Sequence, residues 1–363
     1  MSRVTVRKAI AAVVAVSAIG LVVAGCGSSS SSSSASASGG SSSSGGSSAS
    51  SGGSSSGASV TIVEAGGSDF SSADVPYFVS LLKKEGINAH LTAIADASSA
   101  TRAVISGQAQ LGVNDLPDAI LPISQGGAPI KVIAVNNQAS DYVLVAKKGL
   151  TLHNLAGHTL AIDTPGSAGE GAAELGLRAS GVNPQSVHYV TVGDTSARET
   201  AVVSGQVDIA PLHYPVALAA LKTGKVGMLL NIGKAIGPYL QSGLIANTSF
   251  LQNKALAQKV VDTFIEAERW ADSGPSGYIA FSKSQNLLGG LTDAEATNVW
   301  DNYHAVKYFG VNGGVCTPYV NKFVSLSQSV ALLPKNTPPV SRWLDPTFVQ
   351  SYLTQHGASA DAC

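Results

Sequence analysis

The segment Thr164-Pro165-Gly166-Ser167-Ala168-Gly169-Glu170-Gly171 follows an apolar run, His158 to Ile162, and opens a helical pattern that continues to Ala179. Glycines there let a solute approach free backbone N–H groups, and the positive end of a helix dipole favours an anion. Thr164, Ser167, Ala168 and Gly169 are therefore candidates for holding a sulfonate, carboxylate, phosphate or similar group. Glu170 reads as a solvated first-turn acid that complements the dipole. The segment is neither a G-x-G-x-x-G fingerprint nor a P-loop, since no Lys-Ser or Lys-Thr follows it. Four more polar segments stand at the carboxyl ends of apolar runs, where open parallel sheets take their ligands. They supply Gly67, Ser68 and Asp69; Asn114 and Asp115; Asn136; and His213 and Tyr214. Each segment also has a local explanation. Residues 66–69 and 114–115 can be helix-capping turns, 164–171 an ordinary helix start, and His213 with Tyr214 simple packing.

Catalysis finds little support. There is no G-x-S-x-G, no H-E-x-x-H and no paired-carboxylate motif. Of the seven histidines only His213 falls at the end of an expected strand, and no nucleophile maps beside it. No catalytic residue, metal site or cofactor is therefore assigned, and an enzyme of the same fold acting on a small anion is the rival class. A net charge of -1 with 12% charged residues and no long basic stretch argues against a nucleic-acid partner.

The elements that must position these segments alternate between short apolar strands and amphipathic helices, the pattern of an α/β protein with largely parallel sheets. Strands are expected at Val60 to Glu64, Ala89 to Ile94, Ala109 to Val113, Ile130 to Val135, His158 to Ile162, Val187 to Val192 and Val207 to Pro211. Helices are expected around Val75 to Leu82, up to Gly107, over Ala168 to Ala179 and over Ser196 to Ser204. Ala103-Val104-Ile105-Ser106-Gly107-Gln108 returns as Ala201-Val202-Val203-Ser204-Gly205-Gln206, so that Ser106 matches Ser204, 98 residues on. In both copies a helix ends at Ser-Gly, where glycine supplies the left-handed cap, and an apolar strand follows. Duplicate lobes with a ligand between them are the expectation, and the body after residue 59 is too long for one core. Towards the C-terminus, Val260, Phe264, Ala267 and Ala271 form one helical stripe. Thr292 and Glu295 make a capping box, and Trp270, Trp300, Tyr303 and Trp343 read as core aromatics.

At the N-terminus Arg3, Arg7 and Lys8 precede an uncharged run from Ala9 to Ala24, the pattern of a secretory signal. The run closes in Leu21-Val22-Val23-Ala24-Gly25-Cys26, which resembles the lipobox of bacterial lipoproteins. That resemblance implies cleavage before Cys26 and acylation of its thiol; the alternative is a chance cysteine after an ordinary signal. Gly27 to Ser59 contains only Ser, Gly and Ala. Such a segment cannot bury apolar surface and reads as a tether with a root-mean-square span of about 30 Å. Of the three cysteines, Cys316 and Cys363 remain. In an oxidising compartment they are expected to form a disulfide, the alternative being two unpaired thiols.

From about Val60 to Trp343 the chain resembles the type II periplasmic binding proteins of the nitrate, sulfonate, taurine and pyrimidine-precursor group, solute-binding subunits of ABC importers. The residues that carry the resemblance are Leu81 to Ala89, Val104 to Gly112, Gly126 to Val132, Leu152 to Ala161 and Val202 to Ala210. The resemblance implies an α/β fold of two lobes joined by two crossing strands, near Tyr142 to Lys147 and Gly243 to Asn247. The expected organisation is a leader over 1–25 and a lipidated tether over 26–59. Lobe 1 spans 60–142 with 248–363, and lobe 2 spans 143–247 with the hinge strands. It also implies a monomer on the outer face of the cell membrane that hands a small anionic or polar solute to a permease and its ATPase. A sulfonate-like anion is the first expectation and a pyrimidine-type heterocycle the second, with a sensor partner as an alternative to a transporter. One departure stands out. Where this group often carries an aromatic-Glu-Pro, the chain has His213-Tyr214-Pro215. An aromatic face or an imidazole then stands where relatives use a carboxylate.

Overall fold

Apolar runs closed by glycine turns fold into two α/β lobes, each built on a five-stranded sheet, as the fold class requires. The computed structural model describes residues 57–359. The leader, Cys26, nearly all of the tether and Cys363 lie outside the described residues.

The first half runs β1 (Ser59–Ala65), α1 (Asp74–Lys84), β2 (Asn88–Ile94), α2 (Ala97–Ile105), β3 (Leu111–Asp115), α3 (Leu116–Gly126) and β4 (Ile130–Asn137). Next come β5 (Tyr142–Lys147), β6 (Thr159–Ile162), α4 (Ala168–Ala179), β7 (His188–Thr191), α5 (Thr195–Ser204) and β8 (Ile209–His213). Then follow α6 (Tyr214–Lys222), β9 (Val226–Asn231), α7 (Ile232–Ile236) and β10 (Ser242–Asn247). The rest is helical: α8 (Lys254–Asp272), α9 (Pro275–Ser284), α10 (Asp293–Ala305), α11 (Thr317–Ser329), α12 (Val340–Trp343) and α13 (Thr347–His356). Sheet order is β2-β1-β3-β10-β4 in the first lobe and β7-β6-β8-β5-β9 in the second. In each sheet four strands run in one direction, while the fourth in that order, β10 or β5, runs antiparallel to both neighbours.

The six-residue echo is part of a full structural duplication at the same offset. Gln110 accepts the Thr61 N–H at 2.8 Å through its side chain and donates its own N–H to the Thr61 carbonyl. Asp208 does the same to Thr159, accepting its N–H at 2.9 Å. Asp96 caps α2 and Asp194 caps α5, each at 2.8 Å. Gly107 and Gly205 both take positive φ, at +79° and +83°, as the left-handed turn requires. The strands after these glycines start at Leu111 and Ile209, two residues later than the sequence suggests. In both copies the residue two before the strand is still folded back, with Ala109 N–H donating to the Ala103 carbonyl and Val207 N–H to the Ala201 carbonyl.

One boundary needs correction. Read from the sequence as a hinge strand of the second lobe, β10 is an interior strand of the first sheet, between β3 and β4. All six of its residues are buried, which an apolar strand achieves only with a neighbour on each edge and a layer on each face. β5 likewise belongs wholly to the second sheet. The chain crosses between lobes in the short segments 138–141 and 237–241. These are tied together: the Asp141 N–H donates to Gln241 Oε1 at 3.3 Å, and Gln241 Nε2 donates to Asp141 Oδ1 at 3.0 Å.

The C-terminal helices cover the first lobe. Val260, Phe264, Ala267 and Ala271 of α8 are fully buried, and the capping box at Thr292 and Glu295 opens α10. Trp300, Tyr303 and Trp343 are core aromatics, and Trp270 stacks on Tyr77 at 3.6 Å.

Candidate functional site

The carboxyl ends of β1, β3, β4 and β8 and the loop after β7 converge on a cavity of about 480 Å³ between the two sheets. Of the residues expected there, Gly67, Asp69, Asn114, Asp115, Asn136 and His213 line it. Their roles differ. Asp69 accepts the Ser71 N–H at 2.7 Å and the Ser71 hydroxyl at 2.5 Å, so its carboxylate serves the cap of the following turn. The Asn114 amide is also spent locally, donating to the Ala97 carbonyl at 2.7 Å and the Thr101 hydroxyl at 2.6 Å, which ties β3 to α2. Asn136 joins Asp74 at 3.2 Å to the Ser242 hydroxyl at 2.9 Å.

Thr164, Ser167, Ala168 and Gly169 do not line the cavity, and the helix start that looked best for an anion is already occupied. Ser167 caps α4 by accepting the Glu170 N–H at 3.4 Å, and the Glu170 carboxylate takes the Gly166 N–H at 2.5 Å. The acid that complements the dipole also fills the place an anion would take. Ser68 is set back as well, donating its hydroxyl to Glu64. Tyr214 turns away to the lobe boundary, where its hydroxyl donates to Asn298 on α10 at 3.0 Å. Lys222 pairs with Glu295 nearby, and Asn231 donates to Asn302 at 3.0 Å.

His213 is held firmly. Its Nδ1 lies 2.9 Å from both oxygens of the buried Asp141 carboxylate, and its ring stacks on Tyr142 at 4.3 Å. Burial acts to lower the imidazole pKa, but the Asp141 charge and hydrogen bond outweigh it and the net shift is upward. No hydroxyl or thiol among the described residues is hydrogen-bonded to this pair.

Several residues of the site were not anticipated. Glu64, 4% exposed near the carboxyl end of the apolar β1, lines the cavity. Burial pushes its carboxyl up to about 8, against the hydrogen bonds from Ser68 and Ser72. Its signal was an acid inside a strand otherwise apolar from Val60 to Ala65 apart from Thr61. Burial likewise raises Asp115 to about 7, with Asp118 adding to the effect and His213 opposing it. Asp194, Thr195 and Ser196 enter from the start of α5; the strand-end rule applied to β7 finds them. Beneath the cavity lie Asp74 and Glu268, both buried and both raised above the ordinary carboxyl range chiefly by burial. One oxygen on each lacks any other partner, and the two carboxyls bond to one another. A shared proton satisfies both oxygens. Behind the second-lobe wall Arg198 is 2% exposed. Its guanidinium donates to the Pro211 carbonyl (3.0 Å), the Gly193 carbonyl (2.8 Å) and the Thr195 hydroxyl (3.0 Å).

Solved structures share this architecture. The ligand-binding component of an ABC-type import system from Staphylococcus aureus, solved with zinc bound, superposes with a TM-score of 0.67 at 15% identity, over 81% of this chain and 99% of that one. The periplasmic aliphatic sulphonate binding protein SsuA from Escherichia coli gives 0.60 at 20% identity, over 79% and 92%. The periplasmic nitrate-binding protein NrtA from Synechocystis PCC 6803 gives 0.63 at 11% identity, over 84% and 90%. No curated protein sequence matches the chain. The family model described as NMT1/THI5 like matches residues 80–275, more than half of the sequence and a span that includes both copies of the Ser-Gly echo. The chain belongs to the NMT1/THI5-like family.

Proposed function

We propose that the protein is the extracytoplasmic solute-binding subunit of an ABC importer. It captures a small polar solute between its lobes and delivers it to a permease and its ATPase. The observation that carries this is the cavity at the strand ends of two duplicated sheets, between which the chain passes in two short paired crossings, the arrangement in which a ligand closes lobes by bending a few hinge residues. The likeness to ABC-importer binding components and membership of the NMT1/THI5-like family support it.

The lipobox at Cys26 and the Ser/Gly/Ala segment after it support a lipid-anchored monomer tethered outside the membrane. Cys316, at the start of α11, and Cys363 are the two thiols left for a disulfide. The decisive experiment is a thermal-shift screen of the protein against sulfonates, nitrate, amino acids, amines and pyrimidines. A compound at about a thousand times its dissociation constant stabilises the fold by about 4 kcal/mol. A saturable shift with the compound recovered intact supports the binding role, whereas consumption of the compound replaces it with an enzyme. Loss of palmitate labelling in Cys26→Ser and a mobility shift on reduction test the anchor and the disulfide.

A further inference from the structure

The charge of the cavity is one-sided. Glu64, Asp69, Asp115 and Asp194 all line it, and no lysine or arginine does. Its one basic group, His213, is already committed to Asp141 at 2.9 Å, and every donor bond of the Arg198 guanidinium goes to its own lobe. We propose that the crevice recognises its solute through a protonated primary amine, an organic ammonium set among these carboxylates. This rests on the solute-binding role proposed above and names the chemical class of the solute.

The two ends of the duplicated strands show where the amine fits. Asp115 closes β3 and His213 closes β8 at matching positions 98 residues apart, each followed by a helix with Pro at its start. His213 has Asp141 as its counter-charge. Asp115 has no such partner: Gln241, the counterpart of Asp141 in the other crossing, gives its amide to Asp141 instead. No hydrogen bond to the Asp115 carboxylate comes from any described residue, and its side chain caps nothing. A half-buried carboxylate in that position calls for a cation that brings its own N–H donors.

A second observation comes from the cavity wall. Asn137 is 5% exposed, lines the cavity, and its Nδ2 has no hydrogen-bond partner among the described residues. The solute therefore carries an acceptor close to its ammonium. A bare metal ion does not fit, because no group of three or more His, Cys, Asp or Glu among the described residues converges to hold one. A quaternary ammonium fits poorly too, since Tyr308 is the one Phe, Tyr or Trp in the lining, whereas such ions seek an aromatic cage.

Binding of this kind displaces protons. Glu64 faces Ser68, Ser72, Asp69 and Asp74, and burial holds it up to about 8. Asp115 faces Asp118, His213, Asp141 and Asp163, and burial holds it at about 7. A cation that enters restores the ionised forms and expels the protons that they hold at neutral pH.

The test is calorimetric titration of the full chain in detergent, in phosphate and in Tris, at pH 6 and pH 8. The probes are matched pairs that differ in the amine: taurine against ethanesulfonate, and ethanolamine against ethylene glycol. The expected result is that an aminated member binds about tenfold or more tighter than its partner, releases protons, and binds tighter at pH 8. Asp115→Asn weakens that binding about tenfold without lowering the thermal midpoint. Should that variant fail to fold, Glu64→Gln carries the same comparison. Ethanesulfonate or nitrate binding as tightly as taurine overturns the ammonium while leaving the solute-binding role intact. Absence of binding by both amines also overturns it. Breakdown of a bound amine overturns the transport role itself.

Discussion

Helix α2 of the first lobe and helix α5 of the second occupy equivalent places against their sheets, yet one buries Ala100 and the other, 98 residues on, buries Arg198. The same backbone is held by close packing in one copy and by a fully bonded cation in the other. Gln110 and Asp208 show a milder form of this divergence. Both accept the N–H of the equivalent threonine of the neighbouring strand, Thr61 of β1 or Thr159 of β6, but Asp208 adds Lys147 at 2.7 Å. At the crevice the divergence reaches opposite charge, with Asp115 facing the cavity from the first lobe and His213 from the second. Duplication has kept the positions of caps, turns and strand ends, and freed the side chains to differ where a ligand must be told apart.

The comparison can be broken most severely by giving the first lobe the cation of the second. Ala100→Arg places a guanidinium where none of the bonding carbonyls of α5 exists, and should cost about 4 kcal/mol or more. A denaturation midpoint close to that of the parent would show that α2 has room and partners for the charge. The reverse change, Arg198→Ala, strands two carbonyls and a hydroxyl and should cost about 3 kcal/mol in the same measurement.

Asp208→Asn should cost about 1–2 kcal/mol at pH 7. Burial alone would raise the Asp208 pKa, but the bonds from Lys147 and Thr159 outweigh it and hold the carboxyl well below its ordinary 3.8. Its stabilisation is therefore present above that ordinary value and is lost as pH falls through the lower folded value. The variant should lose this acid-limb dependence, whereas Gln110→Ala should cost less and do so equally at every pH. The smallest effect belongs to the hinge. The His213 pKa is raised, so the bond to Asp141 contributes fully below the ordinary 6.5 and fades as pH climbs through the folded value. His213→Gln should flatten that alkaline decline, a change of about 0.5–1 kcal/mol readable from unfolding curves between pH 6 and pH 9.

What the sequence made legible was local or repeated. Helix α4 falls on the residues its caps and periodicity indicate, and the Ser-Gly echo led to the whole duplication. The place of β10 was not legible, because an apolar six-residue strand reads alike at a lobe junction and inside a sheet. The helix start at 164–171 was identified correctly as structure, but Glu170 closes on Gly166, a contact that composition does not reveal. Arg198 was within reach. Extending the echo upstream sets it against Ala100, and a charge opposite a buried alanine marks an unusual environment. Glu64 was also within reach, as an acid at the end of a buried apolar run.

The two sheets differ in how much of the chain each requires. The second sheet is drawn entirely from residues 142–231, one uninterrupted stretch, and can form as soon as that stretch is available. The first sheet lacks its interior strand until residues 242–247 arrive, so β3 and β4 wait without a common neighbour while the other lobe is made. The second lobe is thus expected to form first, with the long-range closure of the first lobe as the slower step, which pulse-labelled hydrogen exchange during refolding would check by earlier protection of 142–231 than of 242–247.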